Sequence, residues 1–129
     1  MKTPLIPISW GELFDKLTIL QIKLENLKDK KALKNVKIEH DQLHLIFNNN
    51  LLGDQNAKLF LTDLKEINKK LWNIEDKIRD KERNKVFDKE FVELARSVYI
   101  TNDKRSSIKR NINKIFRSEI IEEKSYEDY

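Results

Sequence analysis

A chain of 129 residues, 37% charged and 39% hydrophobic, has the length of one domain. Its two glycines and two prolines fall far below the usual roughly 7% and 5%, too few for sandwiches, barrels or doubly wound sheets, and with no cysteine it has neither a disulfide frame nor a thiolate metal site. The net charge of +4 is segregated: Lys104, Arg105, Lys109, Arg110, Lys114 and Arg117 form a stretch with no acid, and residues 119–129 then carry five acids against Lys124.

Residues 1–8 hold both prolines and read as an extended lead-in. Ser9-Trp10-Gly11-Glu12 matches a capping box, with Ser9 as cap and Glu12 reaching back to the Ser9 amide. Apolar residues at 10, 13, 14, 17, 20, 24 and 27 extend that helix to about Lys28. After a polar break at 29–31, a second helix is predicted from about Lys31 to Asn48, with Leu33, Val36, Leu43, Ile46 and Phe47 inward. Asn48-Asn49-Asn50 and Gly53-Asp54 carry loop signals. Phe60, Leu64, Ile67, Leu71, Ile74 and Ile78 then form a heptad seam for the third helix.

A break at 83–87 leads to Asp88, a good N-cap, with Phe87 and Val92 placed for a hydrophobic staple. The fourth helix is predicted to bury Phe91, Leu94, Ala95 and Val98, and to kink or stop and recap near 101–103. A last helix carries Ile108, Ile112, Ile115 and Phe116 before the acidic tail, 119–129. The expected fold is all-α: a compact antiparallel bundle of four to five helices forming one domain over residues 1–129. No apolar run approaches the roughly 20 residues of a membrane span and no signal-peptide core is present, so a cytoplasmic protein with no membrane partner is expected.

His40 and His44 stand i, i+4, but a catalytic zinc needs a third protein ligand and Asp41 occupies the place of the HExxH glutamate, so no metal is assigned. Glu75, Asp76, Arg79 and Glu82 lie within two turns. They read either as surface ion pairs or, with Glu90 and Glu93 as a second acidic pair, as a Mg²⁺ site for phosphate-ester chemistry. In that reading Glu75 and Asp76 are the weak metal candidates.

The most unusual stripe is Arg96, Tyr99, Asn102 and Asp103, continued by Arg105, Lys109 and Asn113. Arginine offers a planar fork to phosphate or carboxylate, Asn and Tyr add orienting hydrogen bonds, and Tyr99 has a face for stacking. The stripe reads equally as a polar network holding the bundle together or as an anion-binding site. Lys16 adds a cation from the first helix, Trp72 a second aromatic face and Arg79 a further guanidinium. The basic 104–117 stretch carries no nucleic-acid-binding motif, and nucleic acid is not an expected partner.

Residues 9–23 (SWGELFDKLTILQIK), 71–79 (LWNIEDKIR), 87–99 (FDKEFVELARSVY), 102–105 (NDKR), 108–113 (IKRNIN) and 122–126 (EEKSY) together resemble a family of short bacterial and phage proteins known only as a domain of unknown function. The resemblance covers roughly residues 8–129, with 30–65 its variable part. It implies a small helical protein associated with gene neighbourhoods for surface-glycan assembly, and it carries over no reaction or ligand. The positions matching the family motifs are Ser9, Gly11, Glu12, Asp15, Lys16, Thr18, Lys23, Trp72, Glu75, Asp76, Arg79, Asp88, Arg96, Tyr99, Asn102, Asp103, Arg105, Lys109, Asn113, Glu122, Lys124 and Tyr126.

The expectation from these residues is a binding protein, not an enzyme, that needs no cofactor. Its ligand would be a phosphate-bearing small molecule, a nucleotide or nucleotide-sugar, held by Lys16, Trp72, Arg79, Arg96, Tyr99, Asn102, Arg105, Lys109 and Asn113. If phage-encoded, it would sequester a host nucleotide signal. The alternatives are an interaction module accessory to surface-glycan synthesis and a Mg²⁺-dependent nucleotide phosphohydrolase. A homo-oligomer is expected, and in the interaction-module alternative the heptad seam at 60–78 serves partner or self-association as much as the internal core.

Overall fold

A computed structural model describes all 129 residues. It contains four helices and no strand: α1 (Trp10–Asn26), α2 (Lys30–Leu51), α3 (Gln55–Arg83) and α4 (Lys89–Ile115). Each begins at a side-chain cap. Ser9, Asp29, Asp54 and Asp88 accept from the backbone N–H groups of Glu12, Ala32, Ala57 and Phe91 at 2.9–3.1 Å.

α1 is the central element and touches all three other helices. It is buried almost all round: Leu13, Phe14, Leu17, Leu20 and Ile22 are accompanied by Gly11, Asp15 and Thr18. Phe14 stands at the heart of the core, with ring centroids 5.4 Å from Phe47 and 5.6 Å from Phe116, and Leu64, Ala57 and Ile112 close around it. α1 runs opposite to α4, since Gly11 meets Asn113 and Asp15 meets Arg105. α3 and α4 form a long antiparallel hairpin, whereas α2 packs chiefly on α1. At about 1.5 Å per residue the 29-residue α3 outreaches the 17-residue α1 by nearly 20 Å. The hairpin tip is therefore uncovered, and Val86, Phe87 and Val92 are exposed there.

Several local expectations are corrected. Asn48–Asn50 lie inside α2, where Asn50 donates to the Ile46 carbonyl, and the loop is confined to residues 52–54 with Gly53 at φ +81°. α4 is one uninterrupted helix through 101–103. Thr101 is buried there, and the packing it gains outweighs its modest helix propensity. Ile46 and Ile115 are exposed rather than inward. Phe87 packs edge-on against Phe91, not against Val92, because Val92 points to solvent. The capping box at Ser9 is half made: the Glu12 carboxylate goes to Lys109 instead of the Ser9 amide. No helix is long and apolar enough to cross a membrane.

Candidate functional site

The C-terminal part of the polar stripe of α4, Arg105, Lys109 and Asn113, faces α1. Asp15, 1% exposed, receives Arg105 through both carboxylate oxygens, with Nε–Oδ1 at 2.9 Å and a second, shorter contact from an Nη nitrogen to Oδ2. Asn68 of α3 donates to both Asp15 Oδ1 and Thr18 Oγ1 at 2.9 Å, and Thr18 donates to the Asp15 carbonyl. A buried carboxylate is tolerated only when such partners replace its water. Asp15 in turn holds the Arg105 pKa above its ordinary value. One turn on, Asn113 accepts from the Gly11 N–H at 2.7 Å. Gly11 permits this approach, since a Cβ there would lie 2.6 Å from the Lys109 carbonyl oxygen.

Lys109 lies between the bundle and residues 119–129. Its ammonium meets Glu12 at 3.0 Å, Glu122 at 3.0 Å and Asp15 at 3.7 Å. Burial works against its charge, but the hydrogen bonds it donates to Glu122 and Glu12 outweigh that and raise its pKa. Glu122, bonded by Lys124 and by Lys109, is pulled down to about 2.

The acidic segment thus folds back along the basic side of α4. Glu123 approaches Arg110 at 3.6 Å, the Tyr129 hydroxyl donates to Asp103 at 2.5 Å, and the Tyr129 and Tyr99 rings meet at 5.2 Å. Two hollows lie beneath and beside it. One, about 350 Å³, is lined by Glu12, Asn102, Asp103, Arg105, Ser106, Lys109, Glu122, Lys124 and Tyr126. The other, an open groove of about 990 Å³, runs past Tyr99, Asn102, Ser106, Ser107, Arg110, Lys124, Tyr126 and Tyr129, with the carboxylates of Asp103, Glu127 and Asp128 also on its wall.

On the opposite flank of Asn102 and Arg105, a shallow groove of about 430 Å³ brings in Ile19, Asn68, Trp72, Glu75, Asp76 and Arg79. Trp72 and Arg79 therefore share a wall with Asn102 and Arg105, while Tyr99 and Lys109 belong to the side covered by residues 119–129. Asn113 is buried in the helix contact. Arg96 is exposed beside Glu93, and Lys16, half-buried on α1, lines none of the three hollows. Glu75 is paired with Arg79 and Glu82 with Lys85.

No group of three or more His, Asp or Glu side chains is placed to hold a metal ion. His40 and His44 stack on one another at 5.3 Å, and His40 Nε2 is buried with no hydrogen-bond partner.

Residue type and spacing in the sequence missed Asn68, Ser106 and Arg110 as lining residues. Asn68 is one residue from Ile67 of the heptad seam, a polar group where packing alone calls for none; that was the available signal. The chain belongs to the family described as a family of unknown function (DUF6165), which matches residues 4–129. No curated protein and no solved structure matches the chain.

Proposed function

We propose that this family member binds, without turning it over, a phosphate-bearing small molecule of nucleotide or nucleotide-sugar size on the side of α4 that faces residues 119–129. One observation carries the reading: Lys109 and Arg110 of α4 line the same pair of hollows as Tyr99, Asn102 and Ser106 of that helix. Cations and hydroxyls suit phosphate oxygens, and tyrosine faces suit a planar base or the apolar face of a sugar. Such a ligand would be met in the cytoplasm, and in a phage-encoded chain the same binding would sequester a host nucleotide signal.

Titration calorimetry with a panel of nucleoside phosphates and nucleotide-sugars tests the proposal. Arg110→Ala and Tyr99→Ala alter exposed side chains of α4 and should each weaken binding about tenfold, the value of one charge-assisted hydrogen bond or stacking contact. Absence of heat with every member of the panel defeats it.

A second reading, an interaction module accessory to surface-glycan synthesis, is favoured by α2. Ile38 and Leu45, seven residues apart, are 52% and 60% exposed, and Leu52, just past the helix end, is 77% exposed. A phosphohydrolase reading has less support, because two of the carboxylates it would use, Glu75 and Glu82, are paired with Arg79 and Lys85.

A further inference from the structure

Lys109 is the best-placed cation for a ligand, yet its side chain is only 11% exposed and three carboxylates surround it. A phosphate reaches its ammonium only if one of them leaves. Asp15 is buried and bound to Arg105 and Asn68, and Glu12 belongs to the first turn of the central helix. Glu122 alone sits on a segment without regular structure.

That segment is held almost wholly by polar contacts. Glu122 meets Lys109, Glu123 meets Arg110 and Tyr129 meets Asp103, whereas Ile120, Ile121, Tyr126 and Tyr129 remain exposed at 43%, 50%, 78% and 80%. A strap with little apolar burial opens locally at small cost, and its ion pairs are screened by salt. It departs from the bundle at a defined hinge. Arg117 adopts φ +52°, and Ser118 closes the turn by accepting from the Trp10 N–H at 3.2 Å.

We infer that residues 119–129 are an autoinhibitory strap, with the Glu122 carboxylate standing in for a ligand phosphate on Lys109, so that strap and ligand compete and the strap lifts when the site fills. The inference rests on the binding reading above. A phosphate carries up to two charges and three acceptor oxygens against the single charge of a carboxylate, which gives it the advantage at a shared cation.

The test uses the full chain, with inorganic pyrophosphate and ADP as probes. Affinity is measured by calorimetry for the native protein and for Glu122→Gln, which keeps the shape of the strap and removes its charge. A chain lacking residues 119–129 serves as a second variant, with circular dichroism checking that α1–α4 are intact. Strap release is read from tryptic cleavage after Lys124 and from the amide resonances of residues 119–129.

Glu122→Gln should bind either probe about tenfold more tightly, the value of one displaced charge-assisted hydrogen bond. The probe should also speed cleavage after Lys124 in the native chain. Equal or weaker binding by both variants overturns the strap but leaves the binding reading standing, as does binding that leaves the strap protected. Failure of all three proteins to bind either probe removes the strap together with the binding reading for phosphates of this class.

Discussion

Asp15 carries a buried charge whose neutralisation comes chiefly from Arg105, assisted by Asn68 and by Lys109 at 3.7 Å. Removing Arg105 strands that charge, so Arg105→Ala should lower unfolding stability by about 3 kcal/mol, the usual penalty for breaking a buried pair. Urea denaturation followed by circular dichroism measures this, with Arg110→Ala, an exposed neighbour on the same helix, as the near-neutral control. Glu122 illustrates the surface counterpart. Its pKa falls from 4.5 to about 2 because Lys124 and Lys109 stabilise its ionised form. A depressed folded-state pKa means that its contribution is complete above about pH 4.5 and is lost as pH falls towards 2. Amide shifts of residues 119–129 should therefore move towards disordered values across that window while those of the α1 core stay in place. Simultaneous loss of both would contradict an independent strap. Residue type marked Arg105 and Lys109 as functional, but it does not say whether an arginine's fork is filled by a ligand or by a carboxylate 90 positions away.

At the scale of elements, the α1–α4 contact depends on Gly11. An added methyl would clash with the Lys109 carbonyl oxygen, a backbone atom that moves only if the helices separate. Gly11→Ala raises helix propensity by roughly 1 kcal/mol yet should still destabilise the fold by about 2 kcal/mol or more, because overpacking dominates. Thermal melting decides the sign. The helix ends behave differently. α3 and α4 both close with a left-handed residue that is not glycine, Lys85 at φ +55° and Arg117 at φ +52°. Paired closing bonds follow, Val86 N–H to the Lys81 carbonyl and Ser118 N–H to the Asn113 carbonyl. Glycine fits that conformation without Cβ strain, so Lys85→Gly should raise stability by about 0.5–1 kcal/mol. Melting temperature checks that too. N-caps are legible from sequence because Ser and Asp announce them; these C-caps are silent, because lysine and arginine carry no left-handed signal.

Across the whole molecule, the core is concentrated around α1, and α2 presents apolar residues to solvent on its outer side. Ile38 and Leu45 stand one heptad apart on α2, with Leu52 exposed just beyond its end, which suits pairing with a second copy of the same helix. The native chain should sediment as an oligomer, and Leu45→Lys should return it to the 15.5 kDa monomer without loss of helicity. An unchanged sedimentation mass would leave α2 without a self-association role. Part of the α3 heptad seam lies inside the bundle, where Leu64 and Ile74 are buried.

Helical class and most helix boundaries were determined by the sequence alone, because apolar periodicity and polar caps are local properties that act within a few turns. The same holds for the heptad register of α3 and for the charge contrast between 104–117 and 119–129. Only the tertiary structure decided that α1 is the central helix and that α4 passes unbroken through Thr101. It also decided that Arg105 serves Asp15, and that the acidic segment covers the basic face it follows in sequence. The helix arrangement depends on contacts between residues some 50 to 100 positions apart, such as Asn68 with Asp15 and Gly11 with Asn113, and the fold-back of the acidic segment on pairs 13 to 26 positions apart. Side-chain chemistry permits many such pairings, and the packing of one core around Phe14 selects among them.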